Sequence, residues 1–128
     1  QGCIQKENDD ISKAYLLKAW QDSTVSKSFH RFPIAEELAF TSELMDELNQ
    51  LLEDKNNFDE FAAACFEPCL GFKIKQVNQT SKSILVSLDC ARVYIYQNNH
   101  RSEKFLSPLG KVKFLLFLNQ LFPDYLKK

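Results

Sequence analysis

The chain has 128 residues, 45% hydrophobic and 26% charged, with three Gly, four Pro and a net charge of −1. Such a chain fits one globular domain that buries about two-thirds of the surface exposed when unfolded, and its composition excludes collagen-like, linker and intrinsically disordered classes. The longest apolar run, Phe61 to Phe66, is six residues against the roughly twenty that span a bilayer, and a near-zero charge gives no global attraction to nucleic acid or anionic lipid.

The sequence opens Gln1-Gly2-Cys3 without a Met, as expected of an exported chain after removal of its leader or of a piece cut from a longer protein. Residues 1–8 read as a flexible N-terminus, and 1–128 as a single domain. Asp9 or Asp10 can cap a helix over Ile11 to Trp20, where Ile11, Tyr15, Leu16, Ala19 and Trp20 share an arc. Gln21 to Lys27 reads as a loop, and Pro33 opens a second helical region. Within that region Leu44, Met45, Leu48, Leu51 and Leu52 give the clearest helix of the chain, with Thr41-Ser42 as a cap for a fresh start. Asp59 to Phe66 reads as a short helix closed by Pro68.

After Gly71 the period becomes alternating. Phe72 and Ile74 against Lys73 and Lys75 predict a strand, Asn78 to Ser81 a turn, and Ser83 to Tyr96 a long β-rich stretch. In that stretch Ile84, Val86, Leu88 and Cys90 share one parity, whereas Ala91, Val93 and Ile95 take the other. Without Gly or Pro near the change, a β-bulge or a strand buried on both faces is expected. Asn98-Asn99 predicts a turn, Phe105-Leu106 a short strand and Ser107 to Gly110 another turn. The spacing of Phe114, Phe117, Leu118, Leu121 and Phe122 predicts a final helix stopped by Pro123, although Lys111 to Phe114 also alternate like a strand. The whole is an α+β fold: N-terminal helices followed by an antiparallel sheet and a C-terminal helix, an order that resembles the NTF2-like or cystatin-like layout.

Motifs for catalysis are missing. Three glycines, at 2, 71 and 110, cannot build a phosphate loop, and neither G-x-S-x-G nor H-E-x-x-H occurs, so no catalytic residue and no cofactor is expected. Cys3, Cys65, Cys69 and Cys90 form an even set that permits two disulfides in an oxidising compartment, or four buried thiols in a reducing one. A Cys₃His zinc site from Cys65, Cys69, Cys90 and His100 is a third reading, set aside because a lone C-x₃-C lacks the usual paired knuckles; no metal is expected. Cys90 beside His100 would be needed for thiolate catalysis, and His30 between Phe29 and Arg31 reads as a loop residue. The sequon Asn78-Gln79-Thr80 decides nothing by itself.

Charge is segregated along the chain. Residues 1–69 carry six basic and fourteen acidic side chains, net −8, and residues 70–128 carry ten and three, net +7. From Ile34 to Asp54 seven acids, Glu36, Glu37, Glu43, Asp46, Glu47, Glu53 and Asp54, stand without a Lys, Arg or His. They predict a helical docking face for a protein with a basic surface, unless they pair internally with the basic half. Lys73, Lys75, Lys82 and Arg92 with Tyr94 and Tyr96 are too sparse for a nucleic-acid surface, so no nucleic-acid partner is expected. The resulting expectation is a small exported binding protein of the inhibitor or immunity type, with no transmembrane segment. The alternatives are an adaptor or subunit domain using a Phe-rich patch around Phe114, Phe117 and Phe122, and a small-ligand or enzymatic α+β domain.

Overall fold

The computed structural model describes residues 12–18, 27–60, 65, 67–75 and 81–125. Expectations for the N-terminal tail, Cys3, the sequon, the loop after Lys18 and most of the helix over Asp59 to Phe66 fall outside those residues. Among these residues the elements in chain order are β1 (Lys13–Leu17), β2 (Ser28–Phe29), β3 (Phe32–Ala39), α1 (Ser42–Glu53), a 3₁₀ turn (Lys55–Asn57), β4 (Phe58–Asp59), β5 (Leu70–Ile74), β6 (Lys82–Ser87), β7 (Arg92–Gln97), β8 (His100–Leu106) and α2 (Pro108–Leu121). The strands form one antiparallel sheet in the order β2-β3-β1-β5-β6-β7-β8-β4.

This is an α+β fold with a C-terminal helix, but the first expected helix and the opening of the second are strands where they are described. Lys13–Leu17 is a central strand, pairing β3 on one side and β5 on the other. Its run Ala14-Tyr15-Leu16-Leu17 is buried throughout, because Ala14 and Leu16 enter the main core while Tyr15 and Leu17 enter a second cluster on the opposite face. A short apolar run buried on both faces lacks the alternation that marks a half-buried strand, so its helical arc was spurious. The region opened by Pro33 is likewise β3, whose period is broken by an irregularity opposite Leu16 and Leu17. Phe32 and Ile34 therefore pack on the second cluster, and Ala35 and Leu38 on the main core. Among the described residues three strands precede the first helix, so the helices-then-sheet order expected from the sequence is not the one found there.

The later expectations fare better. α1 starts where Thr41 accepts a hydrogen bond from the Leu44 N–H at 3.3 Å, and it lays Leu48 and Leu52 on the sheet. Asn98 and Asn99, at φ 55° and 60°, make the two-residue turn between β7 and β8. The parity change near residue 90 is a turn rather than a bulge. Ala91 takes φ 53°, its N–H bonds the Leu88 carbonyl, and the Ser87 hydroxyl accepts from the Cys90 N–H at 3.2 Å. Since the chain reverses there, Ile84 and Val86 before it and Val93 and Ile95 after it all meet the same core. Ser107 to Gly110 is the start of α2 instead of a free turn: Ser107 accepts from the Gly110 N–H at 3.0 Å and Pro108 holds the first helical position. Gly110 is fixed by close approach, since a Cβ there would lie 2.0 Å from the Asn57 carbonyl oxygen.

Both helices pack on one face of the sheet over Leu70, Phe72, Ile74, Ile84, Val86 and Val93. The opposite face is covered in part by the β2–β3 hairpin. Phe29 lies over Gly71, where a Cβ would come within 2.5 Å of its ring, and packs with Tyr15, Leu17 and Leu85.

Candidate functional site

The acidic segment divides between two elements. Glu43, Asp46, Glu47 and Glu53 are exposed on α1 and span about 120° of its outward arc, with Asp54 at its C-terminal cap. Glu36 and Glu37 belong to β3 instead, so the expected seven-residue helical face contains five of its acids. Glu37 is bound to Lys13 at 2.9 Å, and that hydrogen bond holds its carboxyl below the usual range. Asp54 accepts from the Asn56 N–H at 3.0 Å and faces Lys113 at 3.4 Å; the first of these is the main cause of its lowered pKa. Glu47 receives a 3.4 Å hydrogen bond from Gln120. Internal pairing thus takes up Glu37 and Asp54, while the acids along the outward arc of α1 face solvent.

Beside this arc lies α2. Phe114, Phe117 and Phe122, which the adaptor alternative would need in an exposed patch, are 0%, 4% and 3% exposed. The large apolar side chains that face solvent are Leu109, Val112 and Leu116, at 47%, 55% and 64%. They fall within about 60° of one another around α2. The wider outward arc, with Pro108, Leu115 and Asn119, contains no charged residue; Lys111 and Lys113 stand on its two shoulders. On the Lys113 side, a cavity of about 350 Å³ separates α2 from α1, lined by Glu47, Leu51, Asp54, Lys113, Leu116 and Phe117 among others. On the Lys111 side a second, of about 570 Å³, is lined by Leu88, Asp89, Val112, Leu115 and Tyr125 among others. α2 is therefore an apolar ridge between two grooves, with the acids of α1 along one flank. The signal in the sequence was a helix apolar nearly all round, which is normally buried all round.

Among the described residues, Cys65, Cys69 and Cys90 do not converge with a histidine. Cys65 and Cys90 are joined in a disulfide across 25 residues, so neither sulfur is a free thiolate and the zinc set with His100 is dissolved. Cys69 is an unbridged thiol, and burial pushes its pKa up to about 11, which keeps it protonated at neutral pH. His100 lies at the Asn98-Asn99 end of the β7–β8 hairpin, whereas Cys90 precedes the other end, about 17 Å away along the strand. Among the described residues no three His, Cys, Asp or Glu side chains converge as metal ligands, and no helix is long and apolar enough to cross a membrane.

The basic residues of the sheet are dispersed too. Arg92, on the hairpin side, is bound to Glu103 at 3.6 Å, and Lys82 has the opposite strand parity, on the helix side. His30 lies in the turn between β2 and β3, anchored as expected by the flanking Phe29, which it meets edge-on at 4.7 Å, and its ring also stacks on Tyr96 at 4.5 Å. Comparison with protein-family models, curated proteins and solved structures found no match.

Proposed function

We propose that this chain is a non-enzymatic binding protein that acts by protein–protein contact through its helix layer, in the manner of an inhibitor or immunity protein that covers a partner's working surface. The observation that carries this reading is the placement of Leu109, Val112 and Leu116 together on the outward arc of α2. Exposed apolar side chains scattered singly need no explanation; a contiguous ridge bordered by polar groups is what a docking surface requires. The partner it fits has an apolar depression bordered by Lys or Arg on the side that meets α1, since Glu43, Asp46 and Glu47 lie along that flank of the ridge and face solvent. The Cys65–Cys90 bridge supports an oxidising compartment, and hence export.

The test is affinity capture with the wild-type chain and with Leu116→Glu, followed by purification of the captured protein and titration of the isolated pair. Leu116→Glu and Val112→Glu are expected to weaken binding at least about 30-fold, as for a central anchor, with folding unchanged. The triple reversal Glu43→Lys, Asp46→Lys and Glu47→Lys is expected to weaken it less and to flatten its salt dependence. Unchanged affinity in both sets overturns the surface. A wild-type homodimer that Leu116→Glu converts to monomer assigns the ridge to a second copy of the chain and overturns the partner.

A further inference from the structure

On the other side of the molecule, where the turns of two hairpins meet, lies an open groove of about 720 Å³ lined by His30, Ser81, Ser83, Tyr96, Gln97, Asn98 and Asn99. Its volume is within the roughly 300–1,000 Å³ of small-molecule sites. Its chemistry is unusual for this surface: three carboxamides, two hydroxyls, a phenol and an imidazole, with no Lys, Arg, Asp or Glu.

The aromatic part is rigidly held. His30 is stacked on Tyr96 with 23° between the rings, Phe29 meets His30 edge-on, and Tyr94 meets Tyr96 edge-on at 6.3 Å. Tyr15 closes the series against Phe29 at 4.6 Å. His30 and Arg31 sit at φ 50° and 75°, a left-handed pair for which Asn-Gly is the favoured sequence and in which histidine is also enriched, so the ring contacts add to what the backbone already favours. Burial lowers the imidazole pKa, leaving at neutral pH a ring with one donor and one acceptor.

We infer that this groove binds a neutral carbohydrate. A pyranose offers an apolar C–H face and a rim of hydroxyls that both donate and accept. The stacked His30–Tyr96 pair matches the first, and the hydroxyls of Ser81 and Ser83 with the amides of Asn98 and Asn99 match the second. The lining itself carries no charged side chain, Lys75 reaching its edge through a 3.3 Å hydrogen bond to the Ser81 hydroxyl, and an apolar ligand would strip water from the polar side chains without replacing its hydrogen bonds. The inference is independent of the helix-layer surface, which lies across the sheet.

The experiment is an amide NMR titration of the full, disulfide-intact chain with maltotetraose, cellotetraose and chitotetraose, each up to about 10 mM, the range for a weak single site. At least one sugar is expected to give saturable shifts centred on His30, Tyr96, Gln97, Asn98 and Asn99. Asn99→Gly removes an amide while suiting the left-handed turn, and Ser83→Ala removes a hydroxyl; each is expected to weaken binding about three- to tenfold. Tyr96→Ala is expected to abolish it, and Leu116→Glu to leave it unchanged. No saturable shift with any of the three sugars overturns the inference. So does binding that neither Asn99→Gly nor Ser83→Ala weakens, or stronger binding of inorganic phosphate or of a Gly-Ser peptide at the same amides.

Discussion

α1 and α2 lie on the same face of one sheet and bury comparable stripes, Leu48 and Leu52 from one, Phe114, Phe117, Leu118 and Leu121 from the other. Their outward arcs differ: four acids on α1, and on α2 an uncharged arc led by Leu109, Val112 and Leu116. Folding accounts for all of α1, whose apolar positions face the core and whose polar ones face water. It accounts for only the inner half of α2. The exposed side chains of the outer half, Leu109, Val112 and Leu116, are the ones on which the proposed contact rests.

The sharpest way to break the contrast is to truncate one residue from each arc of α2. Phe114→Ala is expected to cost about 3–5 kcal/mol by urea unfolding, as for a fully buried ring, and Leu116→Ser less than about 0.5 kcal/mol. A comparable loss from Leu116→Ser would mean that the outer arc is part of the fold after all. Replacing Cys65 and Cys90 together by Ser is expected to lower stability by about 3 kcal/mol through the freed 25-residue loop. Because the bridge joins neither helix, the ratio between the two α2 variants should survive it.

Smaller changes compare how the two helices are anchored. Gly110→Ala forces a Cβ onto the Asn57 carbonyl and is expected to cost about 2–3 kcal/mol in thermal or urea unfolding. Thr41→Ala removes the cap of α1 and is expected to cost about 1 kcal/mol, so α2 should prove the more rigidly seated. The smallest effect separates the β3 acid from those of α1. Glu37 has a depressed pKa in the folded chain, so its pairing with Lys13 contributes fully above the unfolded value of about 4.3 and is lost as pH falls through the lower folded value. Both partners are about a third exposed, which limits the effect to under about 1 kcal/mol; Glu37→Gln should remove that part of the pH dependence between about pH 5 and 3.

Local chemistry was readable wherever a single segment settled its own conformation. Thr41 with the Leu44-to-Leu52 spacing defined α1, Phe72 and Ile74 against Lys73 marked β5, and Asn98-Asn99 marked a turn because Asn tolerates the left-handed region. Ala91 gave no such signal, its conformation being held by the Ser87 hydroxyl and the bridged Cys90. Arg31 also adopts a turn conformation that its identity does not announce.

The sequence by itself determined the amphipathic α1, the helical spacing of α2, the Asn98-Asn99 hairpin turn, the split of charge between the halves and the absence of common catalytic motifs, because each is read from the residue types and their spacing along the chain. Tertiary structure alone decided that Ala14 to Leu17 is a central strand, since burial on both faces comes from strands distant in the chain. It also decided which side of α2 is hidden. Both arcs of that helix are apolar, and only the sheet beneath, which takes the larger Phe side chains into its core, leaves Leu109, Val112 and Leu116 facing water.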